Sequence, residues 1–193
     1  MTKNKNYIIL KKFYKNKKIF ITGATGFKGA WLSFWLYKMG AKVYSNGNNP
    51  NKNDNLFYGL GLEKKTNLNI FDIRNFEKLN KLIQKIRPSI IFHLAAQPLI
   101  LESYKKPKET YEVNTLGTLN LLEASRKCKS IKSVICITSD KCYESNYSTK
   151  GFKEVDRLGG KDPYSGSKAS AEIIINTYNE SFFNKGKIGL AST

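Results

Sequence analysis

Two clusters of residues in this chain have the types and spacing that chemistry requires. The first is Gly23-Ala24-Thr25-Gly26-Phe27-Lys28-Gly29, glycines three apart, directly after the apolar run Lys18 to Thr22. The first glycine permits a tight strand-to-helix turn, the second lets backbone approach a pyrophosphate without a Cβ clash, and the third lets the helix pack closely. The amino end of such a helix also offers free N–H groups, so the spacing predicts a dinucleotide site. A purely structural turn would read the same way, and the position after a first strand argues against it. The second cluster is Tyr164-Ser165-Gly166-Ser167-Lys168, following Asp162-Pro163. Positions i and i+4 share a helical face. An ammonium close to a phenol stabilises the phenolate, giving a base able to take a hydroxyl proton near neutral pH. A half-buried tyrosine beside a solvated lysine has the same spacing; the upstream glycine loop and Ser139 at the end of the preceding strand favour the catalytic reading.

Ser139, Asp140 and Lys141 follow the β-branched run Ser133 to Thr138, at the edge where open α/β sheets place ligands. Ser139 can hold a reacting hydroxyl, and Asp140 with Lys141 offers an acid/base pair of opposite charge in one cleft. An ordinary polar turn crossed by an ion pair is the alternative. The sole histidine, His93, ends a strand in His93-Leu94-Ala95-Ala96-Gln97-Pro98 and, with no ligand cluster beside it, reads as a structural residue. The small Ala95 and Ala96 let backbone lie close to a ribose or nicotinamide. An acidic residue for the adenosine ribose is expected about 20 residues beyond the glycines, yet the chain there reads Tyr44-Ser45-Asn46-Gly47-Asn48-Asn49. Asn46 or Asn49 can still bond ribose hydroxyls, and the nearby Lys42 and Lys52 leave a 2′-phosphate open, so residue types alone do not choose between NAD and NADP. Asp72 is placed either to accept a hydrogen bond from an adenine amino group or to cap the helix beginning near Phe76.

Holding these groups together takes a sheet with crossovers. Residues Gly29 to Met39 read as a helix, with Trp31, Leu32, Trp35, Leu36 and Met39 at helical spacing and Gly40 as its stop. Strands follow at Ala41 to Ser45, Asn67 to Phe71, Ser89 to Leu94, Ser133 to Thr138 and Lys187 to Ala191, alternating with helices at Phe76 to Ile86, Pro107 to Lys127 and Pro163 to Asn184. The alternation predicts an α/β doubly wound parallel sheet, a Rossmann fold. The Asn, Gly, Ser and Lys-rich segments Gly47 to Asp54 and Glu144 to Gly160 read as loops, the second long enough to arch over a site.

Lys and Arg number 33 against 15 Asp and Glu, a formal charge of +18. The lysines are scattered among asparagines and densest in Lys3 to Lys18, with no recognition helix, zinc spacing or aromatic-basic interleaving, so no nucleic-acid partner is expected. Cys128, Cys136 and Cys142 form no Cys-x-x-Cys pair, which argues against a metal site or disulfide framework and for a reducing cytoplasm. Apolar runs such as Tyr7 to Leu10 and Ala30 to Met39 are too short for export or for a membrane span. The expected organisation is a frayed basic leader over residues 1–17 and one dinucleotide-binding domain over residues 18–193.

Taken in order, Thr22 to Leu32, His93 to Pro98, Val113-Asn114-Thr115-Leu116-Gly117-Thr118 and Asp162 to Lys168 resemble the extended short-chain dehydrogenase/reductase family of NAD-dependent epimerases and dehydratases. Phe27-Lys28-Gly29 running into Trp31, the Ala96-Gln97-Pro98 step and Thr138 to Glu144 are most similar to its CDP-glucose 4,6-dehydratase branch; relatives acting on dTDP-sugars usually show Asp-Glu where Asp140-Lys141 stands. The resemblance implies NAD on Thr22, Gly23, Thr25, Gly26, Phe27, Gly29, Asp72, Ile73, Leu94, Ala95, Ala96, Asn114, Thr138, Tyr164 and Lys168. It implies a nucleotide-sugar substrate, CDP-glucose, with no net redox change. Tyr164 would take the 4-hydroxyl proton with Ser139 and Lys168 in support, Lys141 the C5 proton, and Asp140 would protonate the departing 6-hydroxyl. It also implies a homodimer through the helices Pro107 to Lys127 and Pro163 to Asn184. Two residue-level departures stand out: Ile100-Leu101-Glu102 lacks the arginine often found before the Ser-Tyr, and the position after the second strand is Asn. The family also continues past the point corresponding to Thr193 into a small substrate domain, so a chain without that domain is expected. Another epimerase or dehydratase of the family, or an NAD-binding unit without turnover, is the alternative.

Overall fold

Lys18–Thr22 forms β1, whose last four residues are buried, as a strand covered on both faces requires. In the computed structural model, which describes residues 5–48, 52–144, 151–184 and 188–193, β1 pairs in parallel with β2 (Lys42–Gly47) on one side and β4 (Ile90–His93) on the other. Outside β2 lies β3 (Asn67–Ile70); beyond β4 come β5 (Ser133–Cys136) and β6 (Gly189–Ser192), giving the order β3-β2-β1-β4-β5-β6. The strand order reverses between β1 and β4, where a doubly wound sheet opens a crevice at its carboxyl edge. Thr22 is level with Asn46 and with His93, and His93 with Cys136, so the residues after each strand leave from one edge.

Alternation along β1 supplies both cores. Phe20 packs with Leu79, Ile83, Ile91, Leu121 and Leu122 on one face, while Ile19 and Ile21 pack with Ala30, Leu36, Val43 and Phe57 on the other. Helix α4 (Phe76–Ile86) shows how a sequence enforces this. Leu79, Ile83 and Ile86 recur on one face and are buried, Asn75 caps the start by accepting from Lys78 N at 3.0 Å, and the left-handed Arg87 ends it.

Several expectations need correction. The leader contains a helix, α1 (Lys5–Tyr14), though none of its residues is buried. Helix α2 (Phe27–Lys38) begins two residues early and buries Gly29, Ala30, Ser33 and Leu36, leaving Trp31 and Trp35 exposed. The close approach to β1 explains that choice, because a Cβ on Gly29 would come 2.1 Å from the Gly23 carbonyl oxygen. The short α3 (Leu56–Gly59) and α5 (Ile100–Lys105) carried no readable period. The helix expected over Pro107 to Lys127 is α6 (Pro107–Tyr111), a π-turn (Glu112–Leu116) and α7 (Gly117–Arg126). Helix α8 (Pro163–Tyr178) likewise passes into a π-turn, Asn179–Phe183. Of the two loops, Lys52–Asp54 makes a 3-10 turn, and Tyr143 bridges Leu158 and stacks on Phe152 at 5.2 Å. Residues 49–51 and 145–150, and Lys187 of the expected last strand, lie outside the described residues.

Candidate active site

The turn between β1 and α2 is built from glycine for two reasons. Gly23 has φ +69°, and a Cβ there would also lie 2.5 Å from Ala95 N; no other residue fits both conditions. Gly26 caps α2 without a side-chain bond, so the amides of Phe27, Lys28 and Gly29 have no acceptor within the helix and make an anion-ready end. Above this turn is a cavity of about 500 Å³, lined by Gly23, Thr25 to Gly29, Asn46 to Asn48, Phe71 to Ile73, Leu94 to Ala96, Pro98, Val113, Ile137, Thr138, Tyr164 and Lys168. Its size lies within the range of small-molecule and cofactor sites.

Behind the wall runs a continuous path of hydrogen bonds from Thr22 to Ser167. The Thr118 hydroxyl donates to Asn114 O at 2.7 Å, so toward His93 Nε2, 3.0 Å away, it accepts. That fixes the proton on Nε2 and leaves Nδ1 to accept from the Thr22 hydroxyl at 2.7 Å. Burial, with the Lys168 charge nearby, pushes the His93 pKa down to about 3. Asn114 accepts from Gln97 N at 2.8 Å and donates to Gln97 O at 3.1 Å and Ser167 Oγ at 2.9 Å. His93 is thus a structural residue, as the sequence suggests.

Tyr164 and Lys168 come together on the inner wall, both buried. The Lys168 ammonium donates to Ile137 O at 3.3 Å. Burial lowers its pKa to about 8; Lys28 acts in the same sense, while Cys136, Glu172 and Cys142 oppose it. Asp162 caps α8, accepting from Ser165 N at 3.0 Å and Ser165 Oγ at 2.6 Å. Burial raises the Asp162 pKa, but the Ser165 bonds and the Lys141 charge outweigh it and the net shift is downward.

Beyond Thr138 lies a second hollow of about 900 Å³, lined among others by Thr138, Ser139, Asp140, Cys142, Tyr143, Phe152, Glu172 and Ser192. Ser139 caps the 3-10 turn Asp140–Cys142, accepting from Lys141 N and donating to Asp140 Oδ1, each at 3.2 Å.

The profile of the GDP-mannose 4,6-dehydratase family matches residues 20–188. The chain belongs to that family. CDP-glucose 4,6-dehydratase of Salmonella typhimurium is 44% identical over 190 residues, covering 96% of this chain and 53% of that protein. The UDP-glucose 4-epimerase of Thermus thermophilus, solved with NAD, is 26% identical with a TM-score of 0.77, covering 91% of this chain and 53% of that one. The epimerase Mth375 of Methanothermobacter thermautotrophicus, 23% identical, shares the fold with a TM-score of 0.80 over 97% of this chain and 54% of its own. The chain spans about half the length of the curated relatives it matches.

Within this dehydratase-family chain, Gly23, Thr25, Gly26, Phe27, Gly29, Asp72, Ile73, Leu94, Ala95, Ala96, Thr138, Tyr164 and Lys168 all line the first cavity. Thr22 and Asn114, expected on the cofactor, do not; their polar atoms are spent in the network behind it. Asn46 lines the cavity, but its amide donates to Asn69 O and Phe71 O, and Asn49 lies outside the described residues. Asp72 is no helix cap. It is held by Arg74 at 2.7 Å, which in turn reaches Glu112 at 3.0 Å, and the Arg74 bond lowers the Asp72 pKa. Ser139 and Asp140 face the second hollow, and Lys141 lines neither. Lys28, Gly47, Asn48, Phe71, Pro98, Val113 and Ile137 were not read as lining residues, although for Phe71 and Ile137 a place directly after a strand was a signal in itself.

Proposed function

We propose that this chain carries the nucleotide-binding half of a sugar-nucleotide 4,6-dehydratase that converts CDP-glucose to CDP-4-keto-6-deoxyglucose with recycled NAD. The observation that carries the reading is the meeting of Tyr164 and Lys168 on the cavity above the glycine turn, in a chain 44% identical to a CDP-glucose 4,6-dehydratase. The residues fit NAD. Gly23 and Gly29 let backbone close tightly around the turn, where a Cβ would strike Ala95 N or the Gly23 carbonyl, the first amides of α2 suit a pyrophosphate, and Asp72 stands on the cavity wall where an adenine amino group can donate to it. When bound, NAD supplies the two-electron acceptor that makes C4 of the sugar a ketone and the donor that reduces C6 afterwards.

The chain's own residues supply the proton steps. Tyr164 takes the 4-hydroxyl proton, with the Lys168 ammonium beside it and the Ser139 hydroxyl turning from Asp140 to hold the sugar oxygen. The C4 ketone acidifies C5, whose proton goes to Lys141, while Asp140 protonates the leaving 6-hydroxyl so that water departs; as C6 is reduced, Lys141 returns the proton to C5. The shared lining residue Thr138 supports the roles of Ser139 and Asp140, because it joins the cofactor cavity to the hollow that carries them. The position of Lys141, off both cavities, favours as a second reading an NAD-binding unit that does not turn over on its own. A homodimer is proposed as well, with Tyr111, Leu116 and Ile173 exposed along the two long helical segments. Three buried free cysteines support the cytoplasm as location; among the described residues no helix is long and apolar enough to cross a membrane.

Titration with NAD followed by CDP-glucose separates the readings, the product being followed by the ultraviolet absorbance of a 4-keto-6-deoxy sugar in alkali. Binding with turnover is expected for the dehydratase. Binding without turnover leaves a cofactor-holding unit, and the absence of binding removes both.

A further inference from the structure

Glu172 stands one helical turn beyond Lys168 on α8, on the same face, and lines the second hollow. Both of its carboxylate oxygens are engaged. Oε1 accepts from the Thr138 hydroxyl, and Oε2 accepts from the Ser192 hydroxyl at 2.8 Å. Thr138 follows the end of β5, Ser192 ends β6, and Thr138 N also donates to Thr193 O at 2.6 Å. One carboxylate therefore joins a helix to the ends of two strands. The residue before Thr138 is Ile137, whose carbonyl receives the Lys168 ammonium, and the residue after it is Ser139.

We propose that Glu172 is a positioning residue for the Tyr164–Lys168 pair: its carboxylate ties the carboxyl end of β5 to α8 and so fixes the backbone acceptor of the Lys168 ammonium. The inference rests on reading Tyr164 and Lys168 as the proton-transfer pair. An acceptor that drifted with a free strand end would let the ammonium leave the phenol, and a hydrogen bond to an ionised acceptor is strong enough to prevent that. Charge acts in the same direction. The groups facing Lys168 are Tyr164 on its own helix, His93 from β4, Cys136 from β5, Cys142 from the 3-10 turn, Lys28 from α2 and Glu172. Burial holds His93 neutral and pushes the Cys136 and Cys142 thiols up to about 12 and about 11. Glu172 is thus the carboxylate among them, set against the like charge of Lys28.

The test needs no turnover. Lys168 is labelled with trinitrobenzenesulfonate across pH 6.5 to 10 and quantified on its own peptide by mass spectrometry, in the unaltered chain, Glu172→Gln and Glu172→Ala, with melting curves alongside. Gln keeps an acceptor for Thr138 but removes the charge, so it is expected to melt close to the unaltered chain while Lys168 labels roughly threefold faster at pH 6.5, well below its midpoint, as a half-unit fall in that midpoint requires. Ala removes the tie as well and is expected to label faster still. If either variant fails to fold, Thr138→Val, which breaks the tie and leaves Glu172 in place, is expected to raise labelling, and Thr138→Ser to restore it. Unchanged Lys168 labelling in the folded variants, whatever happens to the melting temperature, overturns the proposal and leaves Glu172 a structural staple. A shifted profile in a chain that never forms product would instead support the positioning role while sinking the dehydratase reading.

Discussion

Where the sheet crosses over, between β1 and β4, the polar groups are buried and bonded to one another, whereas in the turn Ser139 to Lys141, just past the anchored Thr138, the side-chain bonds found among the described residues run to close neighbours near the surface. Thr22, His93, Thr118, Asn114 and Ser167 form a continuous path behind the cofactor cavity, drawn from β1, β4, α7, a π-turn and α8. Ser139, Asp140 and Lys141 bond chiefly within their own short turn. Groups that shape a ligand site are thus part of the fold, while the acid and base expected to act on the sugar sit on a surface turn that can change without unfolding anything. The contrast is the physical form of the rule that chemistry varies on loops over a constant scaffold.

The contrast can be broken most severely at Gly29. Gly29→Ala drives a Cβ against the Gly23 carbonyl; backbone cannot yield cheaply, so a loss of roughly 3 kcal/mol or more in urea unfolding and of at least tenfold in NAD affinity is expected. Retention of both would mean that the turn is looser than its contacts indicate. Lys168→Met should act in the opposite sense on stability. The folded lysine has a pKa of about 8 against an ordinary 10.5, so between those values the unfolded chain holds more protons and stability rises with pH. Below pH 8 the variant is expected to be more stable by up to about 3 kcal/mol, the gap closing toward pH 10.5, with catalysis lost. Paired urea titrations at pH 7 and pH 10 check this.

His93 sharpens the buried side from the acid end. Its folded pKa of about 3 lies below the ordinary 6.5, so stability is whole above pH 6.5 and falls by about 1.4 kcal/mol per unit as pH drops toward 3. Urea midpoints at pH 7, 6 and 5 should follow that slope, and His93→Gln should flatten it. The smallest effect belongs to the surface turn. Asp140→Asn is expected to change unfolding by less than about 0.5 kcal/mol while abolishing dehydration. A large stability loss there would erase the distinction between the two regions.

The sheet and glycine turn were readable because each rests on local chemistry: β-branched runs such as Ile19 to Thr22, and glycines whose spacing answers a turn, a ligand and a packed helix at once. Tyr164 and Lys168 were readable for a similar reason, since helical spacing alone puts them on one face. What escaped depended on distance in sequence. Trp31 and Trp35 have the period of a buried face, but Gly29 had already committed the other side of α2 to β1. Thr22 and Asn114 look like ligand-facing polar residues until His93 and Ser167 claim them from 71 and 53 residues away. Glu172 carries no motif of its own; its role requires β5 and β6 to end beside α8.

The π-turn at Glu112–Leu116 holds one residue more than regular helix would. Deleting a single residue there would remove that extra residue and let α6 and α7 fuse into one regular helix with their outer faces still in register. The side chains inside the turn would be redistributed, and Asn114 would lose its place opposite Gln97 and Ser167. A one-codon change could therefore loosen the back wall of the cavity while the helices on either side keep their packing, Gly117 against Ile73 included.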